Sequence, residues 1–263
     1  MNQYKVERHL TWYYSVLAIL LSVSIICIAI PYNHWRSTLD VCPSIGLENN
    51  NCACILFGVR TSQYFNGGHS SYCLYAIFAP LPITVYAIIM ALFHMYRVCI
   101  NDVGKYEDEK STTIEEIEGE AIVATSRARV SNNNDAVIYC WIPTSIIAAL
   151  FGIYNLIYVS IITHGFLKTC TQYRGYLASE LHASGDHVSV IHFRLACQAI
   201  FDFMDYLQKD APNSRRGDFI NTAISLQLCV ISSWLAVVLW FFITIHTARR
   251  AYKEREVLTC CGN

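Results

Sequence analysis

The sequence has few charged residues, and none of them falls inside four long windows. Only 15% of the 263 residues are charged, whereas a soluble domain carries about 25%. The windows without charge run between Arg8 and Arg36, Arg60 and Arg97, Asp135 and Lys168, and Asp218 and Arg249. Because a charge at the centre of a bilayer costs about 2.5–3.5 kcal/mol on insertion scales, this spacing predicts four membrane spans of roughly 20 apolar residues each.

Motifs that carry catalysis are also missing. There is no glycine-rich phosphate loop, no HExxH, no GxSxG and no Cys-x-x-Cys. The predicted spans have no ionisable group at mid-depth, which a transporter or an intramembrane enzyme usually needs. His94 and His246 lie near span ends, where we interpret them as interfacial residues or helix C-cap partners. We therefore expect no enzymatic activity, no cofactor, no bound metal and no nucleic-acid partner.

The apolar windows predict an all-α membrane protein, a four-helix transmembrane bundle. We place the spans near 10–31, 74–97, 137–163 and 220–247. With both termini inside, the inner segments hold 11 lysines and arginines in 64 residues, against 8 in 98 for the outer loops. This bias predicts cytoplasmic termini. The remaining parts are then outer loops 32–73 and 164–219, an acidic cytoplasmic loop 100–135 and a cytoplasmic tail 248–263.

Half of the 12 cysteines fall in the two predicted outer loops. An oxidising compartment makes these six candidates for disulfides: Cys42, Cys52, Cys54, Cys73, Cys170 and Cys197. Cys52 and Cys54 are two residues apart, so on a strand they point the same way and rarely bridge each other. Each is expected to pair elsewhere, for example with Cys42 and Cys73, and Cys170–Cys197 would close the second loop. Six cysteines allow 15 pairings, so the connectivity stays open.

The outer loops carry two local patterns, which predict a small disulfide-stapled extracellular cap. Residues 54–59 form a β-prone run that is too short to span a membrane, and this indicates a short strand. Residues 187–209 have a helical apolar pattern. Such a helix can pack on the first loop, lie at the membrane surface or contact a partner.

Three further features lie within or beside the predicted spans. Pro80 and Pro82 are expected to kink or start the second span. Asn155 is the amide deep in the third span, and we interpret it as a hydrogen-bonding group between helices. Cys260 and Cys261 follow a basic cluster after the last span, which makes them candidates for acylation.

Short motifs resemble those of the transmembrane protein 179 family. The stretch Cys54-Ile55-Leu56-Phe57 is similar to the family's Cys-Leu-Leu-Phe. The second span ends in His94-Met95-Tyr96-Arg97, which is similar to His-x-Trp-Arg. The fourth span contains Ser233-Trp234-Leu235-Ala236, like the family's Ser-Trp-Leu-Ala. The resemblance runs in order along the whole chain, and it implies a four-span membrane protein without a catalytic site to carry over.

The layout also resembles the claudin-type tetraspan group, which has a tryptophan after the first span, here Trp35. The Gly-Leu-Trp and two-cysteine pattern of that group is missing. We expect a plasma-membrane protein that acts by contact, as an accessory subunit of a channel or receptor or as a cell-junction component. Its partners would be the lipid bilayer and a membrane protein, with a homo-oligomer left open. The alternatives are a small-molecule carrier or membrane enzyme, and a thiol redox membrane protein.

Overall fold

The computed structural model describes residues 3–39, 52–61, 65–99, 134–206 and 220–261. Within these ranges it contains seven helices and two strands: α1 Gln3–Leu39, β1 Cys54–Arg60, β2 Phe65–Gly68, α2 Ser70–Phe78, α3 Leu81–Cys99, α4 Asn134–Glu180, α5 Asp186–Phe193, α6 Cys197–Tyr206 and α7 Thr222–Cys261. Cys42 and nearly all of the predicted acidic loop 100–135 lie outside the described residues, as do the side chains of Cys260 and Cys261.

Four helical stretches are long and apolar enough to cross a membrane. They are Lys5–Arg36, Ser70–Cys99, Trp141–Glu180 and Thr222–Tyr252. Each overlaps one of the four windows without charge. Their surfaces carry large apolar side chains that water would solvate poorly, among them Ile19, Leu150 and Phe241, each at least 60% exposed.

The chain divides into two compact units, and the long helices contribute segments to both. The first unit comprises Met1–Ala18, Val85–Ile153 and Val238–Asn263, and the second comprises Ile19–Thr84 and Tyr154–Val237. The first unit is helical wherever it is described. The hairpin of β1 and β2 and both short helices α5 and α6 belong to the second unit.

Aromatic packing fills the core of the first unit. Trp240 is fully buried, with its ring centroid 5.6 Å from that of Phe151 and 6.2 Å from that of Tyr14. Gly152 lets the backbone of α4 approach Trp240, because a Cβ at this glycine would lie 3.4 Å from the Trp240 side chain. Small residues at helix contacts are the usual way for membrane helices to pack closely.

The second span is interrupted at Pro80, which separates α2 from α3. Proline has no N–H, so the Ala76 carbonyl loses the donor that a continuous helix would supply. The Tyr158 hydroxyl on α4 donates to the Ala76 oxygen at 2.8 Å, and Tyr154, one turn earlier, donates to the Ala79 oxygen at 3.4 Å. Side chains of a neighbouring helix thus replace backbone donors, as apolar surroundings require.

The hairpin depends on two consecutive glycines in β2. The strands are antiparallel, pairing Cys54 with Gly68 and Arg60 with Phe65, with an irregularity in between. A Cβ on Gly67 would lie 2.1 Å from the Cys52 carbonyl oxygen, and one on Gly68 would lie 2.1 Å from that of Leu56. Any side chain would separate the strands. The sequence predicted one short strand here, and β2 was not predicted.

Most described residues of the second predicted outer loop are helical. Helix α4 continues to Glu180, so residues 164–180 are helical, and the single helix expected over 187–209 is two helices, α5 and α6. Arg174 stabilises the break, because its guanidinium donates to the carbonyl oxygens of His192 at 3.3 Å and Leu195 at 2.5 Å. The first bond satisfies a carbonyl that the end of α5 would leave without a partner, and the second satisfies one in the connection to α6.

Candidate functional site

Two disulfides join described residues of the second unit. Cys54–Cys73 joins β1 to α2, and Cys170–Cys197 joins α4 to α6, both with Cα atoms 5.5 Å apart. Cys52 is disulfide-bonded as well, and it does not bridge Cys54. The first bond fixes the hairpin to α2, and the second fixes α6 to the long helix α4 and closes the loop that contains α5. We call this assembly, residues 52–78 and 165–206, the stapled cap.

The hairpin is held on α4 by one threonine and one glycine. The Thr169 hydroxyl accepts from the Gly58 N–H at 3.0 Å and donates to the Ile55 carbonyl at 2.8 Å. A Cβ on Gly165 would lie 2.7 Å from the Phe57 ring, so only glycine leaves room for that ring. Phe57 takes a positive φ of 60°, which is uncommon for a bulky residue. The hairpin is therefore fixed in one position on the helix.

Phe193 is the most exposed large apolar side chain among the described residues, with 83% of its surface accessible. It ends α5, inside the loop that Cys170–Cys197 closes. The neighbouring Ile191 is buried and anchors α5, and Arg174 binds the carbonyls that follow. Val190 is also exposed. The cap thus presents an aromatic side chain on a rigid loop.

A chain of hydrogen bonds ties α6 to the start of α7. The Asp205 carboxylate accepts from the Thr222 N–H at 2.9 Å and from its hydroxyl at 2.5 Å. Trp35 Nε1 donates to the same hydroxyl at 2.9 Å. Burial raises the pKa of the Asp205 carboxyl, and the hydrogen bonds from Thr222 oppose that shift.

Replacing Asp205 with asparagine is expected to flatten part of the pH dependence of stability. The folded pKa lies above the unfolded value of about 3.9, so the protonated carboxyl favours the folded state. That contribution is full below the unfolded pKa and is lost as the pH rises through the folded pKa. Thermal unfolding of wild type and Asp205→Asn in detergent between pH 4 and 8 measures it. The wild-type advantage should shrink as the pH rises, and a growing advantage would contradict the assignment.

Neutral polar groups meet within the long helices of the second unit. Ser24 and Ser233 hydroxyls lie 2.7 Å apart, and Ser24 is 3.4 Å from both the Tyr158 hydroxyl and the Cys229 sulfur. Asn155 Nδ2 lies 3.4 Å from the Ser233 carbonyl. Asn155 therefore contacts another helix, as its position predicted. Hydrogen bonds of this kind hold membrane helices together.

The first unit contains a buried group of charged side chains. The Glu7 carboxylate is 1% exposed and lies 2.7 Å from His94 Nδ1 and 2.8 Å from Arg97 Nη1. A carboxylate beside an arginine is an acceptor, which assigns the proton to Nδ1. His94 Nε2 and Trp141 Nε1 are buried and have no hydrogen-bond partner among the described residues, and the two rings are 6.3 Å apart.

Sequence reasoning missed this group. His94 was expected at an interface or as a helix cap, but it is buried in the first unit and bound to Glu7. Glu7 lies just before the first predicted span, and no role was predicted for it. The sequence did contain one signal for this group. Glu7 lies at the start of the first predicted span, and His94 and Arg97 lie at the end of the second. Because consecutive spans run in opposite directions, these positions are at the same depth.

The residues of the family-like motifs have distinct structural roles. In the last motif, Ser233 and Ala236 are buried in the second unit, whereas Trp234 and Leu235 face outward. Trp234 Nε1 donates to the Thr163 hydroxyl at 3.2 Å. Leu56 is buried and Cys54 forms a disulfide. The motifs therefore coincide with packing, disulfide and ion-pair positions.

Comparison with protein-family models, with curated proteins and with solved structures finds no match to this chain. Across the described ranges, no group of three or more histidine, cysteine, aspartate or glutamate side chains could hold a metal ion. The candidate sites are thus the stapled cap with Phe193 and the charged group around Glu7.

Proposed function

We propose that this chain is a non-enzymatic, multi-pass plasma-membrane protein that acts by binding another membrane protein. It would serve as an accessory subunit of a channel or receptor, or as a cell-junction tetraspan. Membership of the transmembrane protein 179 family is part of the proposal and rests on the motifs quoted above. The observation that carries the function is the exposed Phe193 on the stapled cap.

Membrane placement is supported by four apolar helices whose surfaces remain apolar. Large exposed apolar surface is costly in water and neutral in lipid. Disulfides persist in oxidising compartments, so those of the stapled cap favour an extracellular position for the cap. The excess of lysine and arginine near the two termini favours a cytoplasmic position for them.

The contact role follows from how Phe193 is held. Hot spots in interfaces are enriched in aromatic side chains. Holding such a side chain rigid before binding lowers the entropy lost on association. Phe193 meets this condition, because the disulfide, Ile191 and Arg174 fix the loop on both sides of it.

Replacing Phe193 with serine is expected to weaken partner capture by roughly 30-fold, as for an interface hot spot of about 2 kcal/mol. The assay is chemical crosslinking in the native membrane, followed by purification and quantitative mass spectrometry of the partners. The matched control is Val59→Ser, another exposed apolar residue of the cap, which should keep the partner. Both variants should unfold at the wild-type temperature. Equal capture by Phe193→Ser and wild type would contradict the proposal.

The second candidate is a small-molecule carrier, which the charged group of the first unit favours. Ionisable residues inside membrane helices often mark ion or substrate paths. His94 Nε2 and Trp141 Nε1 add buried polar atoms that a guest could satisfy. Substrate flux or current from the purified protein in lipid alone, lost in Glu7→Gln, would favour this candidate over the first.

A further inference from the structure

The first turns of α1 and the later turns of α7 form one surface in the first unit, and its side chains change in character along the helices. On α1, residues at four-residue spacing share one side of the helix, and here they are Lys5, His9 and Tyr13. On α7, the facing row is Phe242, His246 and Arg249, at spacings of four and then three residues. We call these two rows together the headgroup rows. Each row passes from an aromatic ring through a histidine to a cation at its outer end.

The two rows contact each other through their rings. The Tyr13 ring lies 6.3 Å from Phe242 and 5.5 Å from His246. His9 and His246 are stacked with their centroids 6.3 Å apart. Stacked rings keep the two histidines side by side, with the cations beyond them. The arrangement therefore belongs to both helices, and neither row forms it alone.

The cations of the rows have no ionic partner among the residues that the structure describes. Lys5, His9 and Arg249 are exposed, and with His246 they make no ion pair in the part of the chain that the structure describes. Glu7 is two residues from His9, on the other side of α1, where it binds His94 and Arg97. The buried carboxylate is thus satisfied elsewhere and does not neutralise the rows.

We propose that the headgroup rows bind one anionic phospholipid. The gradient matches such a molecule: rings suit the acyl and glycerol region, and the histidines, Lys5 and Arg249 suit the phosphate and the anionic headgroup. The site depends on the membrane placement proposed above, with the headgroup rows at the cytoplasmic leaflet, where anionic lipids concentrate. It is independent of the Phe193 contact, so either proposal can fail alone.

The test is native mass spectrometry of the delipidated full-length protein with dioleoyl phosphatidylserine or dioleoyl phosphatidylcholine. Wild type should bind one phosphatidylserine in preference to phosphatidylcholine. A membrane-surface cation contributes about fivefold in affinity. Lys5→Gln and Arg249→Gln should therefore each lower phosphatidylserine affinity about fivefold, and His246→Gln should lower it further when combined with them. The same lipid should raise the unfolding temperature of wild type and not that of the triple variant.

The matched control is Arg8→Gln, which removes an exposed charge at the same end but outside the rows. It should keep wild-type affinity, and an equal loss would show a general electrostatic field and overturn the site. Equal binding of the two lipids would overturn the preference for anionic headgroups. Displacement of the lipid by millimolar glycerol phosphate or inorganic phosphate would identify a free-phosphate site and overturn the lipid assignment.

Discussion

Glu7→Gln is expected to lower the free energy of unfolding by about 3 kcal/mol, at the lower end of the range for breaking a buried ion pair. The substitution leaves the half-buried Arg97 guanidinium beside a neutral, buried amide, and His94 loses its charged acceptor. In thermal unfolding followed by tryptophan fluorescence in detergent, a loss of this size lowers the midpoint by about 6–12 °C for a chain of this length.

The matched control is Arg8→Gln, an exposed charge on the next residue of the same helix. A surface change of this kind should stay within about 0.5 kcal/mol of wild type. The double variant Glu7→Gln, Arg97→Gln should lose less than the sum of its parts, because it leaves no unpaired charge. Additive losses, or a Glu7→Gln midpoint equal to that of Arg8→Gln, would show that the ion pair contributes nothing.

Removing the Cys54–Cys73 disulfide is the second large effect. The bond closes a loop with a sequence separation of 19 residues, and closing a loop of this length stabilises a fold by about 3 kcal/mol through the unfolded chain. Cys54→Ala with Cys73→Ala should therefore lower the thermal midpoint by about 6–12 °C. Both sulfurs are buried, so the cap also loses packing at this point.

Cys99→Ala is the control for this pair, since Cys99 is a free and exposed thiol. This variant should unfold at the same temperature as wild type. The double variant should also bind less of any partner that recognises the stapled cap, whereas its lipid binding at the headgroup rows should be unchanged. A double variant that unfolds at the wild-type temperature would mean that the hairpin is held by Thr169 and Gly165 alone.

The long apolar helices were predictable because stretches without charged residues can be read directly from the sequence. The end of α4 was not, since Lys168, Arg174 and Glu180 gave its last turns the composition of a loop. Its buried residues Thr169, Tyr173 and Leu177 nevertheless recur at four-residue spacing, which indicates a helix. That periodicity is present in the sequence and extends the helix past the apolar window.

Strand β2 and the charged group around Glu7 could not be predicted from the local sequence alone. The β2 sequence Phe-Asn-Gly-Gly has little strand propensity. It can pair with β1 because its glycines leave room for the facing carbonyl oxygens. Glu7 is separated from His94 by 87 positions, so their meeting depends on how the helices are arranged. Composition identified the cysteines of the cap. Cys170–Cys197 was suggested from the sequence and Cys54–Cys73 was among the pairings left open there, and the fold contains both.

The break at Pro80 has a consequence for how sequences of this kind can diverge. Tyr158 supplies the donor that Pro80 removes from the Ala76 carbonyl. In a relative with a non-proline residue at position 80, the backbone N–H of that residue would donate to the carbonyl at position 76. Phenylalanine at position 158 would then be tolerated. A relative that keeps the proline should keep the hydroxyl. We therefore expect positions 80 and 158 to covary, although they belong to different helices.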